Sequence, residues 1–386
     1  MKVGVNGFIA ARSTAGVARH CQGLLQAMAA LNSELEVHTF SDRPLDTNVP
    51  GCSTLRQHVF RAPVYTLWEQ IGLPLLLARS GLALFHSPAF VLPLLGPLPG
   101  VVTIHDLTHV LFPSYHPIRR RRYLRWLMPS SLRRARRIIT VSYHTKKDLC
   151  RLFGVPEDKV RVVYNGVGSE FRVVDQPERL EDFRSRYGLP VKFVLYVGTI
   201  EPRKNLDRLI HAFDLLRQQG VEHQLVLAGA RGWGCEGLRQ LPTELGLEGE
   251  VCFLDFVPEA DLPLLYNAAD VLVYPSLYEG FGLPALEAMA CGTPVVASNT
   301  SSLPEVVGSG GLLVDPYDAE SLADAILQSL RSPSLREELR ESGLKQAAQF
   351  TWSRAAKQTL AVFKEALASA DDAIGVPDTP MPRRAS

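Results

Sequence analysis

Residues 278–294 constrain the fold of this chain more than any other stretch, because they join two predicted strands through a turn and a short helix. The flanking residues 270–274 and 294–298 are short, apolar and rich in valine, which is typical of buried strands. Pro284 suits a first helical turn, and Gly292 suits a left-handed helix end. The pattern therefore predicts a strand, a turn, a helix and a further strand.

Two carboxylates lie in this stretch, Glu279 before the predicted helix and Glu287 about one turn inside it. Free N–H groups at the helix start carry partial positive charge and can hold a phosphate. A carboxylate accepts hydrogen bonds from paired hydroxyls, so one extended ligand with sugar and phosphate would fit. On spacing alone, a solvated loop glutamate and an ordinary helix glutamate remain the simpler interpretation.

The same residues resemble the Glu–seven residues–Glu motif of retaining GT-B glycosyltransferases, glycosyltransferase family 4. The resemblance implies that Glu279 contacts the hydroxyls of the donor hexose and has a catalytic role. It implies that Glu287 contacts the ribose of the nucleotide. It also implies donor binding, largely through backbone N–H groups, by Gly280, Phe281, Gly282 and Leu283.

A second segment, residues 198–205, follows a strong predicted strand that ends at Gly198. Arg203 and Lys204 lie just before a predicted helix over 206–218, with Asn205 as its expected N-cap. Two cations there would stabilise a diphosphate leaving group. A solvated Arg–Lys pair is the alternative. The segment resembles the donor-phosphate site of the family, which implies catalytic roles for Arg203 and Lys204 and donor binding by Gly198.

The chain begins with a predicted strand over residues 2–6, a loop and a helix over 17–31. The loop resembles the first N-domain loop of GT-B enzymes, which implies that Gly16 contributes to donor binding. Ala15 departs from the pattern, because many relatives have a second glycine there.

A predicted strand over 101–105 ends at His105, followed by Asp106. Ligands of open α/β sheets bind beyond the carboxyl ends of the strands. Asp106 fits a helix-capping role and a functional role equally well. His105 resembles the N-domain histidine that the family places against the donor sugar, which implies a catalytic role. The remaining histidines of this half that we interpret as structural are His86, His109 and His116.

Charge is distributed unevenly along the chain. Residues 1–168 contain 21 Lys and Arg against 9 Asp and Glu, and the remainder contains 20 against 31. An anionic partner for the first half would explain this asymmetry. Charge complementarity with the acidic second half across a cleft would also explain it, and both can hold.

Nine arginines are concentrated between Arg119 and Arg137. Tyr123, Leu124, Leu127 and Met128 predict an apolar helical stripe among them, and Pro129 is expected to kink or break that helix. A basic amphipathic segment suits an anionic membrane surface. A solvated helix with arginines paired to acidic neighbours is the alternative. The segment resembles that of family members with lipid-linked acceptors, which implies a peripheral site at the inner face of the membrane.

The cysteines form no Cys-x-x-Cys pair and no Cys/His cluster with zinc spacing. We therefore expect no metal site, and free thiols in a reducing compartment. The chain leads directly into a strand without a signal peptide pattern, and the apolar run 71–84 is too short and too interrupted to span a bilayer. A cytoplasmic location is expected. The six cysteines are Cys21, Cys52, Cys150, Cys235, Cys252 and Cys291.

Strand–helix alternation along the chain predicts an α/β protein with two doubly wound Rossmann-like domains. The resemblance to family 4 implies that they face a cleft and that a C-terminal helix returns to the first domain, the GT-B arrangement. Further strands are predicted at 225–229, 251–256, 271–274 and 295–298. We expect an acceptor-side domain over 1–168, a linker over 169–190 and a nucleotide-sugar domain over 191–350. A helix over 351–368 is expected to cross back to the first domain, followed by a disordered tail over 369–386.

The resemblance implies a retaining glycosyltransferase that moves a hexose from a nucleotide-diphosphate sugar to a saccharide or lipid-linked saccharide, without a cofactor or a nucleic acid partner. Residues 198–205 resemble bacterial mannosyl- and rhamnosyltransferases, which favours GDP-mannose or a related GDP-hexose. A GT-B nucleotide-sugar epimerase and a non-catalytic nucleotide-sugar-binding protein stay open as alternatives.

Overall fold

The protein is represented by a computed structural model that describes residues 1–12, 16–31, 35–45 and 55–368. Ala15, Cys52 and the expected tail over 369–386 lie outside the described residues. The chain divides into two structural units. Unit 1 contains Met1–Gly166 and the residues from Thr351 onward, and unit 2 contains Val167–Phe350.

Unit 1 is built on a seven-stranded sheet in which every neighbouring pair of strands is parallel. Its strands are β1 (Lys2–Asn6), β2 (Glu36–Ser41), β3 (Leu55–Val59), β4 (Leu84–Ser87), β5 (Gly100–Ile104), β6 (Arg137–Thr140) and β7 (Val160–Val162). Their order across the sheet is β3-β2-β1-β4-β5-β6-β7, so the direction of winding reverses between β1 and β4. This is a doubly wound α/β sheet.

The α-helices of unit 1 connect these strands, and one follows unit 2 in the sequence. They are α1 (Gly16–Ala30), α2 (Tyr65–Leu67), α3 (Leu73–Leu77), α4 (Thr108–Leu111), α5 (Ile118–Arg134), α6 (Tyr143–Phe153) and the C-terminal helix α15 (Trp352–Ala368). A π-helical turn, Trp68–Gly72, joins α2 to α3, and 3₁₀ turns cover Pro113–Tyr115 and Glu157–Lys159.

The two faces of the unit 1 sheet bury separate cores, because successive residues of a strand point to opposite faces. In β5, Val102 and Ile104 belong to one core and Val101 to the other. The first core contains side chains of α3, α5 and α6, and the second contains side chains of α1 and α15. The sheet is therefore covered on both faces, as parallel sheets are.

Unit 2 is built on a six-stranded parallel sheet with the order β10-β9-β8-β11-β12-β13. Its strands are β8 (Phe193–Val197), β9 (Gln224–Ala228), β10 (Val251–Asp255), β11 (Val271–Tyr274), β12 (Val295–Ser298) and β13 (Leu312–Val314). Every residue of β8, β11 and β12 is buried, which explains their continuous apolar sequence. The strands predicted for this half are confirmed to within one or two residues at their ends.

The helices of unit 2 alternate with its strands. They are α7 (Pro177–Tyr187), α8 (Leu206–Gln218), α9 (Leu241–Glu244), α10 (Leu262–Ala268), α11 (Leu283–Ala290), α12 (Leu303–Val307), α13 (Ala319–Arg331) and α14 (Pro333–Ala347). Short 3₁₀ turns cover Pro202–Lys204, Glu259–Asp261 and Gly308–Gly310.

Two expectations about local structure are corrected. Helix α5 runs from Ile118 to Arg134 and continues past Pro129, because a proline removes one hydrogen bond while the following residues restore the helical pattern. The hydroxyl of Ser131 donates to the carbonyl of Leu127 at 2.9 Å within the same turn. Residues 169–190, expected as a linker, contain helix α7 and belong to unit 2.

Among residues 1–12, 16–31, 35–45 and 55–368, no helix has both the length and the apolar character needed to cross a membrane.

Candidate functional site

The strand order of unit 2 reverses between β8 and β11, which are hydrogen-bonded neighbours in its sheet. In an open α/β sheet this reversal opens a ligand site beyond the carboxyl ends of the two strands. The 3₁₀ turn Pro202–Lys204 follows β8 and presents Arg203 and Lys204. The segment after β11 presents Glu279. The sequence-predicted cations and carboxylate therefore lie at one edge of the sheet.

Glu279 is bound by both cations, one on each carboxylate oxygen. The Nζ atom of Lys204 lies 2.5 Å from Glu279 Oε1 and also donates to the Tyr274 hydroxyl at 2.8 Å. Arg203 Nη1 lies 3.0 Å from Glu279 Oε2, and Arg203 Nη2 lies 2.5 Å from Glu201 Oε1. The arrangement places two cations between two carboxylates at the switch point.

The charges of this cluster control its protonation. Burial would raise the pKa of Glu279, but the charges of Arg203 and Lys204 outweigh it and hold this pKa at about 2. Burial lowers the pKa of Lys204, and Arg203 adds to that effect against the opposing attraction of Glu279. Glu279 is therefore ionised throughout the physiological pH range.

The loop before α11 is fixed by two serines. Ser302 Oγ donates to the carbonyl oxygens of Glu279 and Phe281 at 3.0 and 2.9 Å, and Ser301 Oγ accepts from the Glu279 N–H at 2.9 Å. Gly282 has φ +107°, and a Cβ there would lie 2.6 Å from the side chain of a neighbouring leucine. This position therefore requires glycine. The rigid loop holds Glu279 and the start of α11 in one geometry.

The backbone N–H groups expected to bind the donor lie where the loop enters α11. Gly280, Phe281 and Gly282 precede the helix, and Leu283 is its first residue. The first N–H groups of a helix have no partner within it and attract anions. Pro284 lies in the first turn, and Gly292, with φ +74°, follows the last turn; both expectations are confirmed.

Glu287 lies on α11 and is buried. The hydroxyl of Tyr266, on α10, donates to Glu287 Oε2 at 2.8 Å. This contact orients the carboxylate without placing a cation beside it. Glu279 and Glu287 thus have different surroundings, one paired with two cations and the other bound by a tyrosine hydroxyl.

Gly198 follows β8 directly and permits close approach of two backbones. Its N–H donates to the carbonyl of Ala228 at 2.9 Å, and its φ is +151°. A Cβ at Gly229 would lie only 1.9 Å from the carbonyl oxygen of Gly198. The segments after β8 and β9 therefore touch at this edge, and neither glycine tolerates a side chain.

In unit 1, His105 follows β5 and its ring is buried. Its Nε2 donates to the carbonyl of Pro88 at 2.6 Å. Asp106 Oδ1 accepts from the N–H and the hydroxyl of Thr108 at 3.0 and 2.6 Å, so the structure supports the capping interpretation of Asp106. Gly16 is the exposed first residue of α1, and no described atom would lie within 4 Å of a Cβ there.

The three histidines interpreted as structural make internal contacts. His86 Nε2 lies 2.9 Å from Thr103 Oγ1, and His116 Nε2 lies 2.9 Å from Thr108 Oγ1. His109 is buried with its ring at 6.2 Å from that of Phe90.

Asn205 occupies the N-cap position of α8 as expected, but its side chain makes no capping hydrogen bond. It has a left-handed backbone, φ +59°, and its side chain donates to the carbonyls of Pro275 and Pro316 at 3.1 and 2.7 Å. The amide therefore ties together the segments that follow β8, β11 and β13. Sequence reasoning missed this role, and it missed Glu201, Tyr274 and Ser302.

One of these residues carried a usable signal in the sequence. Tyr274 is a polar side chain at the end of an otherwise aliphatic strand, which marks the edge where ligands bind. The roles of Asn205, Glu201 and Ser302 become visible only from the contacts that these residues make in the structure.

No three His, Cys, Asp or Glu side chains of the described ranges lie close enough to hold a metal ion. The cysteines found as free thiols there are Cys21, Cys150, Cys235, Cys252 and Cys291.

Comparison with known families and proteins explains this geometry. The Glycosyltransferase Family 4 model matches residues 14–171, and the Glycosyl transferases group 1 model matches residues 180–346. O-antigen chain mannosyltransferase B of Escherichia coli is 42% identical over 283 residues, which cover 73% of this chain and 74% of that protein. O-antigen chain mannosyltransferase RfbU of Salmonella typhimurium is 32% identical over 286 residues, covering 72% and 73%.

Among solved structures, sucrose-phosphate synthase from Thermosynechococcus elongatus superimposes with a TM-score of 0.75 at 26% identity, covering 96% of this chain and all of that one. The two parallel sheets of seven and six strands are those of the GT-B fold. The chain belongs to glycosyltransferase family 4, and it is a retaining hexosyltransferase with the GT-B fold.

Proposed function

We propose that the enzyme transfers mannose from GDP-mannose, or a related sugar from a GDP-hexose, to a saccharide or lipid-linked saccharide during polysaccharide synthesis. The observation that carries this proposal is the 42% identity to an O-antigen chain mannosyltransferase across 73% of the chain. The similarity to RfbU, a second O-antigen mannosyltransferase by name, supports the same sugar. The sequence of residues 198–205, which resembles that of bacterial mannosyl- and rhamnosyltransferases, supports a GDP donor.

Arg203 and Lys204 are proposed to stabilise the nucleoside diphosphate as it leaves. The hydrogen bonds of Lys204 to Glu279 and Tyr274 use two of the three N–H groups of its ammonium, so a phosphate oxygen can take the third. The start of α11 adds backbone N–H groups with partial positive charge. Cations and a helix terminus together manage the charge that develops when the sugar–phosphate bond breaks.

Glu279 is proposed to hold the hydroxyls of the donor hexose and to stabilise positive charge on the sugar. With a pKa held at about 2 by Arg203 and Lys204, Glu279 is ionised and carries the negative charge that this role needs. Each of its oxygens has a second lone pair available after binding one cation. Glu287 is proposed to bind the ribose hydroxyls, because Tyr266 leaves the rest of that carboxylate available.

The donor assignment is tested by measuring nucleotide release from GDP-mannose, GDP-fucose and UDP-glucose, with and without a lipid-linked saccharide extract. We expect acceptor-dependent release of GDP from GDP-mannose at the highest kcat/KM, strongly reduced in Glu279→Gln. Preference for UDP-glucose would overturn the donor proposal. Sugar interconversion without acceptor would indicate an epimerase, and tight binding without turnover would indicate a binding protein.

The basic segment of α5 is proposed as the membrane-facing surface of the enzyme. Among the described residues, no carboxylate forms an ion pair with the exposed arginines of its first half. These arginines are Arg119, Arg120, Arg122 and Arg125. The arginines at the end of the basic run make contacts within unit 1. Arg134 donates to loop carbonyls, and Arg137, at the start of β6, pairs with Glu365 on α15. The alternative of arginines paired to acidic neighbours therefore fits only the end of the run.

An exposed apolar stripe lies beside this basic surface. Leu67, Ile71 and Leu75 are spaced four residues apart along the helical segment 65–77 and are 45%, 55% and 65% exposed. The segment contacts α5, because the Tyr123 hydroxyl donates to Glu69 within the π-helical turn. Trp126 of α5 is 77% exposed. Apolar side chains beside unpaired cations suit an anionic membrane, which would bring the enzyme to a lipid-linked acceptor.

Sedimentation with lipid vesicles tests this surface. Each arginine near an anionic surface contributes about 1 kcal/mol. We therefore expect binding to anionic but not neutral vesicles, reversal by high salt, and loss of binding when Arg119 to Arg122 are replaced by serine or when Leu67, Ile71 and Leu75 are replaced by serine. Replacing Lys357 and Lys364, two exposed cations of α15, is the matched control. An enzyme that ignores anionic vesicles at low salt has a soluble acceptor.

A further inference from the structure

The imidazole of His105 is held in one tautomer. A carbonyl oxygen only accepts hydrogen bonds, so the contact of 2.6 Å between His105 Nε2 and the Pro88 oxygen requires the proton on Nε2. When the ring is neutral, its Nδ1 is therefore an acceptor with a free lone pair. Burial lowers the pKa of His105, and Arg120 adds to this, while the Pro88 carbonyl and Asp106 oppose it.

A second histidine, His20, packs against this ring. It lies in α1 and is buried. The two ring centroids are 4.6 Å apart at an interplanar angle of 82°, an edge-to-face contact. The ring of Trp352, from α15, lies at 6.0 Å from that of His20. Gly23 has no side chain and so gives this tryptophan room beside α1.

Asn165, which follows β7, fixes the ring of His20. The His20 Nδ1 lies 2.7 Å from Asn165 Oδ1, so Nδ1 donates and Nε2 is unprotonated in the neutral ring. This Nε2 is buried and has no hydrogen-bond partner among the described residues. Buried polar atoms of proteins are nearly always hydrogen-bonded. His20 therefore keeps a buried nitrogen that no described residue satisfies, and what distinguishes it from the other buried histidines is its ring contact with His105.

Both rings stay uncharged near neutral pH. Burial lowers the pKa of His20 well below its usual value, and nearby His105 and His86 lower it further against the bond from Asn165. Two imidazoles in contact and shielded from water disfavour a proton on either ring.

We propose that His20 is a positioning residue for His105: with Asn165 it fixes the plane and the neutral form of the His105 ring, so that His105 Nδ1 accepts a hydrogen bond from a substrate hydroxyl. This inference rests on the proposed glycosyl transfer and on the role against the donor sugar that the family resemblance implies for His105. His20 itself touches no substrate in this scheme. Its effect is transmitted through the edge-to-face contact.

Replacing His20 by phenylalanine tests the proposal, because phenylalanine keeps an aromatic ring but removes the bond to Asn165. We expect kcat to fall on the order of tenfold, since small misplacements of a catalytic group have such effects. The Kd for free nucleoside diphosphate stays within about twofold, because that ligand lacks the hexose whose hydroxyl His105 binds. The Tm changes little, because the variant removes the orphaned His20 Nε2 but leaves Asn165 Oδ1 without its partner.

His86→Phe is the matched control. His86 is also a buried histidine with one orphaned nitrogen, but its ring contact in the described structure is with Phe363. We expect wild-type kcat in this variant. A wild-type kcat in His20→Phe, or a loss of kcat accompanied by an equal loss of Tm in both variants, overturns the proposal.

NMR of the imidazole nitrogens separates this inference from the proposed function. In both proteins we expect His105 as a single neutral Nε2–H tautomer at pH 7, because the Pro88 carbonyl sets the tautomer. In His20→Phe we expect shifted or broadened His105 imidazole signals, because the plane of the ring is no longer fixed. Unchanged His105 signals in that variant overturn the positioning role. If His105→Ala retains full turnover, the role of His105 against the donor sugar fails, while the imidazole signals still report whether His20 positions the ring.

Discussion

At the scale of single residues, the site depends on how Glu279 is neutralised. Its two oxygens are each held by a cation, and the two cations come from adjacent positions of one 3₁₀ turn. Removing any member leaves a buried charge without its partner, which is costly. Substitutions here should therefore affect both turnover and the pH dependence of stability.

Glu279→Gln and Arg203→Ala are each expected to lower kcat on the order of 10²–10³-fold, because each removes charge that stabilises the transition state in a buried site. Initial rates at saturating donor measure this effect, with circular dichroism to confirm folding. Arg208→Ala is the matched control. Arg208 is also an arginine of unit 2, but its guanidinium donates to the backbone carbonyl of Tyr317 at 2.7 Å and not to Glu279. Near-normal rates in both site variants would contradict the site.

The pKa of Glu279, about 2, lies below the usual value of a glutamate, about 4.3. Ionised Glu279 therefore stabilises the fold above about pH 4.3, and this contribution is lost as the pH falls toward 2. Urea unfolding at pH 7, 4 and 3 should show a steeper loss of stability in the wild-type protein than in Glu279→Gln. If the free energy of unfolding depends on pH equally in the two proteins, the pKa of Glu279 is not lowered by folding.

Glu287→Ala should raise the KM for the donor more than it lowers kcat, because a ribose contact is made equally in the ground state and the transition state. Tyr266→Phe should have a smaller effect in the same direction, since it removes only the orienting hydrogen bond. Calorimetric titration with free nucleoside diphosphate checks both variants. Unchanged affinity in Glu287→Ala would remove the ribose assignment.

The local pattern placed Glu279, Arg203 and Lys204 near strand ends and helix starts and Glu287 inside α11, but it was the resemblance to the family motifs that singled them out as site residues. The sequence could not predict the bonds of Asn205 to residues 70 and 111 positions away. That role depends on which strands are neighbours, and strand order is not contained in local periodicity.

At the scale of elements, the glycines after β8 and β9 determine how closely two loops approach. The edge of the unit 2 sheet depends on backbone contact between Gly198 and Gly229, where both residues have positive φ.

Helix α5 shows that packing can override a local sequence signal. Pro129 in its interior was expected to kink or break it, and the helix does not break there, because Leu124, Met128 and Leu132 are buried in the core on one face. Burial outweighs a local helix-breaking signal here.

Gly229→Ala is expected to destabilise the protein by about 2–4 kcal/mol, because a methyl group would clash with the Gly198 carbonyl at a backbone conformation that L-residues avoid. Gly237→Ala is the control, since no described atom lies within 4 Å of its Cβ position and its φ is not in the left-handed region. It should change stability by less than about 0.5 kcal/mol. Equal unfolding midpoints in denaturant would contradict the close approach.

At the scale of the whole molecule, the two units differ in how the chain builds them. Unit 2 is one continuous segment, Val167–Phe350, whereas unit 1 needs residues from both ends of the chain. Helix α15 contributes Ala355, Ala356 and Phe363 to the core that also contains Leu24 and Leu25 of α1. The sequence predicted this last helix, and the alternation of strands and helices predicted both sheets.

Expressed separately, residues 167–350 should fold cooperatively, while residues 1–166 should lack a sharp unfolding transition and should bind a hydrophobic dye. The reason is that one face of the unit 1 sheet keeps α1 but loses α15, the second helix that covers it. Adding a synthetic peptide of residues 351–368 should restore the transition. A cooperative transition in the isolated residues 1–166 would show that α15 is dispensable for the core.

The late arrival of α15 has a consequence for synthesis on the ribosome. At 5–20 residues per second, the 184 residues of unit 2 take about 10–40 s to translate, and during that time one sheet face of the nascent first unit is covered by α1 without α15. The core that contains Val3, Val5 and Leu84 is complete only once α15 has emerged. Chaperone binding to the nascent chain should therefore begin with unit 1 and end only after α15 has been made.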